Sequence, residues 1–410
     1  MTYQFHVQTN TKAFDAFVQQ HTYASILQGS LWANIKDNWG HHFVSVTKNE
    51  KIVASAMVLS KAMPLGFKLF YIPRGPVMDF EDTEVVKYFF SELKKFAKKQ
   101  QVICIKFDPL VIYNAFQLKD VENRKEYIHP VTETLKQVGA HHYGYNLDMH
   151  AVTQPRTQAV FYFYDGWREN YDKNLKKNVQ KAKNKGVQVK QVGKEGLNTF
   201  AELLKKTESR QGVALRNYSY FEKLMDTYQE DSAIFLTYIN QKELLVEATT
   251  KLETLRANLA ANPNRSEGKL VALRENMQGL EDEIARLNEN IAIDGDVAYV
   301  SGALICKDAK TSELLYAGMD DKYNKYCGTY VSWLKAMEWA EDAGCIKCNF
   351  GGVQGTLDDG LTSFKGRFNP TFEDYLGEFD LPVMPLFYQM FTIALPLVKK
   401  MIRGIRSWKK

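Results

Sequence analysis

The sequence predicts an α/β (α+β) chain of two subdomains, the second interrupted by an antiparallel coiled-coil hairpin. Three observations predict it. Glu243 to Ile291 carries two heptad-patterned segments: Leu245, Ala248, Leu252, Leu255 and Leu259, then Leu270, Leu273, Met277, Leu280, Ile284, Leu287 and Ile291. Strand-like alternation flanks these heptads directly, at Ile234–Ile239 before and Val297–Cys306 after. An order of helix, strand and turn also occurs twice, as Glu84–Lys99, Val102–Phe107 and Asp108-Pro109, and as Tyr330–Ala343, Ile346–Phe350 and Gly351-Gly352. The expected division is residues 1–155 for the first subdomain, 156–241 with 296–385 for the second, 242–295 for the hairpin, and 386–410 for a basic amphipathic C-terminal segment.

Taken in order, His42 to Ser60 alternates about a turn at Asn49-Glu50-Lys51 and reads as a β-hairpin. Phe67–Ile72 is a strand ended by Pro73-Arg74-Gly75-Pro76. Glu84–Lys99 has helical spacing and a basic last turn that suits the helix dipole. Val102–Phe107 is a buried strand. A helix over 130–138 and a strand near Tyr145–Met149 complete the first unit. In the second, Ala159–Phe163 is a strand, 171–185 a lysine-rich helix stopped by Gly186, Val187–Val192 a strand and Leu197–Ser209 a helix. The heptads follow. A strict 3-4 repeat keeps one apolar seam toward a partner helix, and the Pro263- and Gly268-containing turn makes that partner antiparallel. Each arm is roughly 30 Å long at ~1.5 Å per residue. Because the hairpin sits at the tip of two strands, it leaves the sheet intact. Leu314–Ala317 follows as a strand.

At 410 residues the chain holds two domains or more. No stretch of about twenty apolar residues occurs, so nothing spans a membrane. Met1-Thr-Tyr-Gln-Phe-His has no basic region leading into an apolar run, and five unevenly spaced cysteines suit a reducing compartment. A cytoplasmic protein is expected. The net charge of +5 is unevenly spread: Lys173 to Lys194 holds eight lysines and no acid, and Lys399, Lys400, Arg403, Arg406, Lys409 and Lys410 close the chain. Two basic patches point to two polyanionic partners. The lysine run reads either as a nucleic-acid grip or as a solvated helix face. The C-terminal segment reads as a helix on anionic lipid or as a solubilising tail.

All eight histidines lie before residue 151, so chemistry in the second half has no local histidine base. No Gly-x-Ser-x-Gly elbow and no Walker loop is present. Cys345-Ile-Lys-Cys348 lacks a second ligand pair and reads as structural; no metal and no cofactor is expected. Gly351-Gly352-Val-Gln-Gly355 is either a phosphate cradle or a plain turn. Ser363-Phe364-Lys365-Gly366-Arg367-Phe368 interleaves rings with cations, as a nucleotide end requires, or else is a solvated strand edge.

Leu27-Gln-Gly-Ser-Leu-Trp-Ala-Asn-Ile-Lys36-Asp-Asn-Trp39, Tyr71-Ile-Pro-Arg-Gly-Pro76, Phe107-Asp-Pro109, Gln154-Pro-Arg156, Arg210-Gln-Gly-Val-Ala-Leu-Arg216-Asn-Tyr-Ser-Tyr220, Leu315-Tyr-Ala-Gly318, Phe350-Gly-Gly352, Phe364-Lys365 and Tyr375-Leu-Gly-Glu-Phe379 occur in one order along nearly the whole chain. In these the sequence resembles the Fem family of peptidoglycan-branching aminoacyltransferases, most closely its MurM/MurN type. One departure is Cys104, where the family often carries an aromatic.

The resemblance implies two acetyltransferase-like (GNAT-like) subdomains. It also implies transfer of an amino acid, Ala or Ser, from aminoacyl-tRNA to a stem-peptide amine of a peptidoglycan precursor, lipid II or its nucleotide-linked counterpart. The enzyme would lie at the inner face of the plasma membrane, in peripheral contact with its anionic surface. By resemblance, Lys36, Arg216, Tyr220 and Tyr316 bind the precursor with Trp39 nearby, and Phe364 and Lys365 engage the tRNA 3′ end. The lysine run, Lys173, Lys176, Lys177, Lys181 and Lys183, is the expected tRNA contact.

An aminoacyl ester is already activated, so the enzyme has only to place a neutral amine against the carbonyl and stabilise the oxyanion. Lys365 is the candidate for that charge, and Asp108 the candidate base, against a turn-capping role before Pro109. The resemblance also implies proton removal assisted by the tRNA ribose. Two other classes compete with this reading. An acyl-CoA N-acyltransferase lacks its pyrophosphate loop here, since Gln211-Gly-Val-Ala does not complete one. A non-enzymatic RNA-binding coiled-coil protein has no use for the Phe364, Lys365, Arg216 and Tyr220 set. The arm itself holds six cations and nine acids, a net of −3, a poor electrostatic clamp for RNA.

Overall fold

The computed structural model describes residues 2–36, 38–170, 172–211, 216–262, 266–390 and 392–393. Up to residue 142 the strands are β1 (Tyr3–Val7), β2 (Gly40–Lys48), β3 (Lys51–Ala62), β4 (Lys68–Ile72), β5 (Val77–Met78), β6 (Val102–Phe107), β7 (Ile112–Phe116) and β8 (His141–His142). Beyond it they are β9 (Thr157–Tyr162), β10 (Val187–Val192), β11 (Ser232–Asn240), β12 (Val297–Asp308), β13 (Thr311–Met319), β14 (Lys347–Val353), β15 (Thr371–Tyr375) and β16 (Phe379–Pro382). Among the described residues they form two eight-stranded sheets, one in the order β1-β2-β3-β4-β6-β16-β8 with β5 on β3, the other β10-β11-β12-β13-β14-β9-β15-β7.

The repeat legible in the sequence is a topological repeat. In each sheet an antiparallel meander ends in one parallel pair, β4 with β6 and β13 with β14. Each pair is joined by a crossover helix, Thr83–Lys99 in the first and Gly328–Asp342 in the second, as parallel strands require. Both helices bury an apolar stripe: Val85, Val86, Phe89, Phe90, Leu93 and Ala97 in one, Trp333, Leu334, Ala336, Met337 and Ala340 in the other.

Two strands cross the expected division at residue 155. β7, from the first half, pairs with β15 in the second sheet, and β16, from near the C-terminus, pairs with β6 in the first. One core belongs to both halves, joining Phe14, Trp32, Met57 and Tyr71 to Phe200, Phe221, Leu236 and Leu304. Each half therefore completes the other.

The hairpin is the helix pair Gln241–Ala261 and Glu267–Asp294, inserted between the antiparallel strands β11 and β12. Every heptad position of the two segments is buried or half-buried, with Ala248, Leu252 and Leu287 the most enclosed. Arg256 and Glu281 pair across the two arms at 2.6 Å. The α/β class, two subdomains and inserted hairpin are as expected.

One local expectation is corrected and one open alternative is excluded. The segment near Tyr145–Met149 is not a strand. Gly144 takes φ +78°, and the Asn146 and Asp148 carboxamide and carboxylate oxygens accept from the amides of Asp148 and His150 at 2.9 Å each. Side chains thus take the backbone groups a ladder would need. Ser363–Phe368 is not a strand edge either. Asp359 accepts from the amides of Leu361 and Thr362 and starts the short helix Gly360–Gly366.

Candidate functional site

The helix Ser30–Ile35 packs against the helix Tyr218–Tyr228 at the seam between the two halves. Lys36 ends the first helix and Tyr220 lies in the first turn of the second, capped by Asn217 through its side-chain oxygen at 3.2 Å. A cleft of about 680 Å³ opens there, lined by Lys36, Asn38, Trp39, Arg216, Tyr220 and Lys223 among others. The Lys36 ammonium lies 5.1 Å from the Trp32 ring centroid and 5.8 Å from that of Tyr220. The Arg216 guanidinium lies 5.1 Å from Tyr220. Tyr316, on β13, donates from its hydroxyl to that of Tyr220 at 3.2 Å. Lys36 and Trp39, Arg216 and Tyr220, and Tyr316, from three widely separated motifs, thus converge.

The cleft is cationic, with no acid among its described lining residues. Burial first, and the nearby Arg216 charge second, lower Lys36 to about 8. Such a site favours a dianionic group: each cation is destabilised by the other until an anion enters between them. Asn38 and Lys223 were not singled out from sequence, because nothing in their spacing marks which helix face meets Lys36.

Phe364 and Lys365 are neighbours in sequence and face different surroundings. Phe364 packs on Tyr330 at 5.0 Å and edge-on to Trp333 at 4.9 Å. It lines a cavity of about 410 Å³ with those two residues, Met319 and Cys327. Lys365 turns the other way and is 5% exposed. Its ammonium donates to the Gly352 carbonyl at 2.8 Å, and burial, partly countered by Asp359, lowers it to about 7. Gly351 at φ +81° and Gly352, whose Cα faces Pro155 too closely for any side chain, make the turn that receives it.

The aromatic cavity shares Asn324, Cys327 and Tyr330 with a basic one of about 540 Å³ lined by Lys181, Lys322, Lys325 and Arg367. Lys181 belongs to the helix Lys173–Asn184, which buries Leu175 and Ala182 and leaves Lys173, Lys176, Lys177, Lys181 and Lys183 exposed. Of the five, Lys181 is the one that lines this cavity. Tyr330 and Trp333 are one turn apart on their helix; the sequence carried that spacing, but as core periodicity.

Asp108 is 1% exposed. One carboxylate oxygen accepts from the Tyr71 hydroxyl at 2.7 Å and the other from the Arg74 amide. Burial raises it to about 6 against the lowering effect of Arg74. With both oxygens bound inside the protein, it anchors the distant Pro73–Pro76 turn, which is neither a cap of its own turn before Pro109 nor the place of an accessible base. Asp108 and Lys365 are joined only indirectly: Arg74 donates to the Pro155 carbonyl at 2.8 Å, and Pro155 packs on Gly352. Cys345 and Cys348 are free and buried.

A family model described as the FemAB family matches residues 9–395. The chain is 26% identical over 399 residues to the aminoacyltransferase FemB of Staphylococcus epidermidis, covering 93% of this chain and 95% of that protein. It is 28% identical over 422 residues to a lipid II:glycine glycyltransferase of Staphylococcus aureus, covering 97% of each. The crystal structure of FemX superimposes with a TM-score of 0.73 at 26% identity, covering 95% of this chain and 99% of that one.

Proposed function

The chain belongs to the FemAB family and is an aminoacyltransferase that adds amino acids to peptidoglycan precursors; from that premise we propose that its donor is aminoacyl-tRNA and its acceptor lipid II, with Ala or Ser as the amino acid. The observation that carries this reading is the cationic cleft at the seam, where Lys36 and Arg216 flank one ring. Such a pair suits the pyrophosphate of a precursor, with Trp39 and Tyr220 offering faces to its sugars. On the donor side, the Phe364–Tyr330–Trp333 cavity supplies a stacking surface for a terminal base, and Lys181, Lys325 and Arg367 supply charge for the phosphates behind it.

The reaction needs little from the protein beyond placement. The stem-peptide amine, neutral, adds to the ester carbonyl; the C–O bond to the ribose breaks as the amide forms, and the amine proton leaves with the ribose oxygen. Lys365 is placed in the role of stabilising charge near the ester, acting while protonated. Asp108 acts as a positioning residue through Arg74. The enzyme works at the inner face of the plasma membrane in peripheral contact with anionic lipid; no helix among the described residues is long and apolar enough to cross a bilayer. Residues 394–410, which carry the terminal cations, lie outside the described residues.

The test is incubation with lipid II and, separately, Ala-, Ser- and Gly-charged tRNA, with mass analysis of the product. A mass gain of one alanine or serine residue is expected. Gain from glycyl-tRNA alone refutes the choice of amino acid, and no gain from any charged tRNA refutes the donor.

A further inference from the structure

Between β3 and β4 the chain turns through Met63-Pro64-Leu65-Gly66-Phe67. Leu65 at its tip is 91% exposed and sits at φ 64°. A branched side chain in the left-handed region is uncommon, and here no burial within the chain offsets it. Behind it, the Phe67 ring meets Phe387 at 4.7 Å between centroids, which brings the helical residues 385–390 and 392–393 to the same tip.

On that segment Leu386, Met390 and Ile393 recur at i, i+4 and i+7 and form one stripe. They are 76%, 66% and 70% exposed, and Phe387 beside them is 44% exposed. The opposite side is tied down: Tyr388 donates to Asp380 at 3.1 Å and stacks on His141. The stripe therefore points outward by construction.

Asp380 beneath Tyr388 is buried, and the chain segments that build the patch carry charge of one sign. Residues 51–78, 93–107 and 381–410 contain no Asp or Glu. Lys61 and Lys68 flank the tip. Lys68 also bonds Gln100 and Gln101 through its ammonium and amide, which places the helix end carrying Lys98 and Lys99 alongside. From Ile393 the chain runs on into a segment with six cations and no acid. A second copy is a poor occupant, because a two-fold contact would oppose the two cationic rims. An anionic bilayer fits both features, taking the apolar stripe below its headgroups and the lysines among them.

The patch also adjoins the cleft. The Lys61 ammonium lies 5.3 Å from the Trp39 ring centroid, and Trp39 lines the cleft with Lys36 and Arg216. We propose that the 63–67 tip and the stripe of Leu386, Met390 and Ile393 together form a docking face for an anionic bilayer. Seated there, the protein brings its cationic cleft to headgroup level, where the pyrophosphate of a lipid-linked acceptor lies, and so favours that acceptor over a soluble one. This selectivity rests on the cleft being the precursor site; docking itself does not.

The experiment uses the full chain, with Leu65→Asp, Met390→Glu and the double variant. Asp tolerates the left-handed backbone at position 65, and Met390 is exposed, so folding is expected to survive; circular dichroism checks it. Co-sedimentation with phosphatidylcholine vesicles, with and without phosphatidylglycerol, reads docking. The wild type is expected on the anionic vesicles only, and the double variant to bind them more weakly by on the order of tenfold or more. Transfer to lipid II in those vesicles should fall in step, while transfer to the nucleotide-linked precursor stays unchanged. Unaltered vesicle binding by the double variant, or equal loss on both acceptors, overturns the proposal. So does a wild-type dimer in sedimentation equilibrium that the variants dissociate, which would assign the face to a second copy. A wild type that docks but transfers to neither acceptor refutes the functional reading and leaves the docking face standing.

Discussion

Lys36 and Arg216, 180 positions apart in the chain, share one aromatic ring: their charges lie 5.8 and 5.1 Å from the centroid of Tyr220. Their mutual repulsion would be relieved by an anion between them, so in the proposed reading the two act as one receptor. Arg216→Ala is expected to raise KM for the precursor at least about tenfold with kcat little changed, and Arg216→Lys to recover only part of it, since the planar bidentate fork is lost. Steady-state kinetics with varied precursor check this.

The same pair predicts a pH dependence. Lys36 loses its proton near pH 8 in the free enzyme, so precursor affinity should weaken as pH rises through that value. Removing the Arg216 charge takes away a cause of the lowering, so in Arg216→Gln the inflection should move to higher pH. The profile of kcat/KM for the precursor reads both.

Lys365→Met should abolish transfer without unfolding the protein. The ammonium is buried with one carbonyl partner, a costly arrangement for a charge. The folded state lowers Lys365 from 10.5 to about 7, so between those values the unfolded chain binds the extra proton. Stability contributed by this group therefore rises with pH across that window. Below pH 7 the Met variant should be the more stable protein, with its advantage shrinking as pH approaches 10. Thermal melts across the range test the sign, and near-normal transfer by the variant removes Lys365 from the site.

Asp108→Asn separates the anchoring role of that carboxylate from a role as base. As an anchor of Tyr71 and the Arg74 amide, it can be replaced by a carboxamide whose oxygen still accepts from the Arg74 amide and which packs in the same space. Most of kcat should survive, with a small loss of thermal stability. A loss of more than about a hundredfold in kcat would instead be the signature of a general base.

Lys181→Ala and Arg367→Ala, both lining the basic cavity, should weaken tRNA binding and reduce its salt slope by roughly one unit for each phosphate no longer neutralised. Lys173→Ala, on the same helix but away from that cavity, should do less. Excising 243–291 with a short turn joining β11 to β12 should change tRNA affinity by less than about threefold, because an arm with net charge −3 adds no favourable long-range term.

Much of this protein was determined by sequence alone. Heptads, alternation and the repeated helix–strand–turn order are local periodicities, each set by which side of one element must leave water. They placed the hairpin, the two crossover helices and their strands. Local chemistry misled where side chains competed for the backbone, as Asn146, Asp148 and Asp359 do. What only the tertiary structure decided is pairing over distance: the exchange of β7 and β16 between sheets, the meeting of Lys36 with Arg216, the opposite facings of Phe364 and Lys365, and the seating of Phe387 on Phe67. A residue's period fixes the face it presents. What that face meets is fixed by the packing of the whole chain, which no single window of sequence contains.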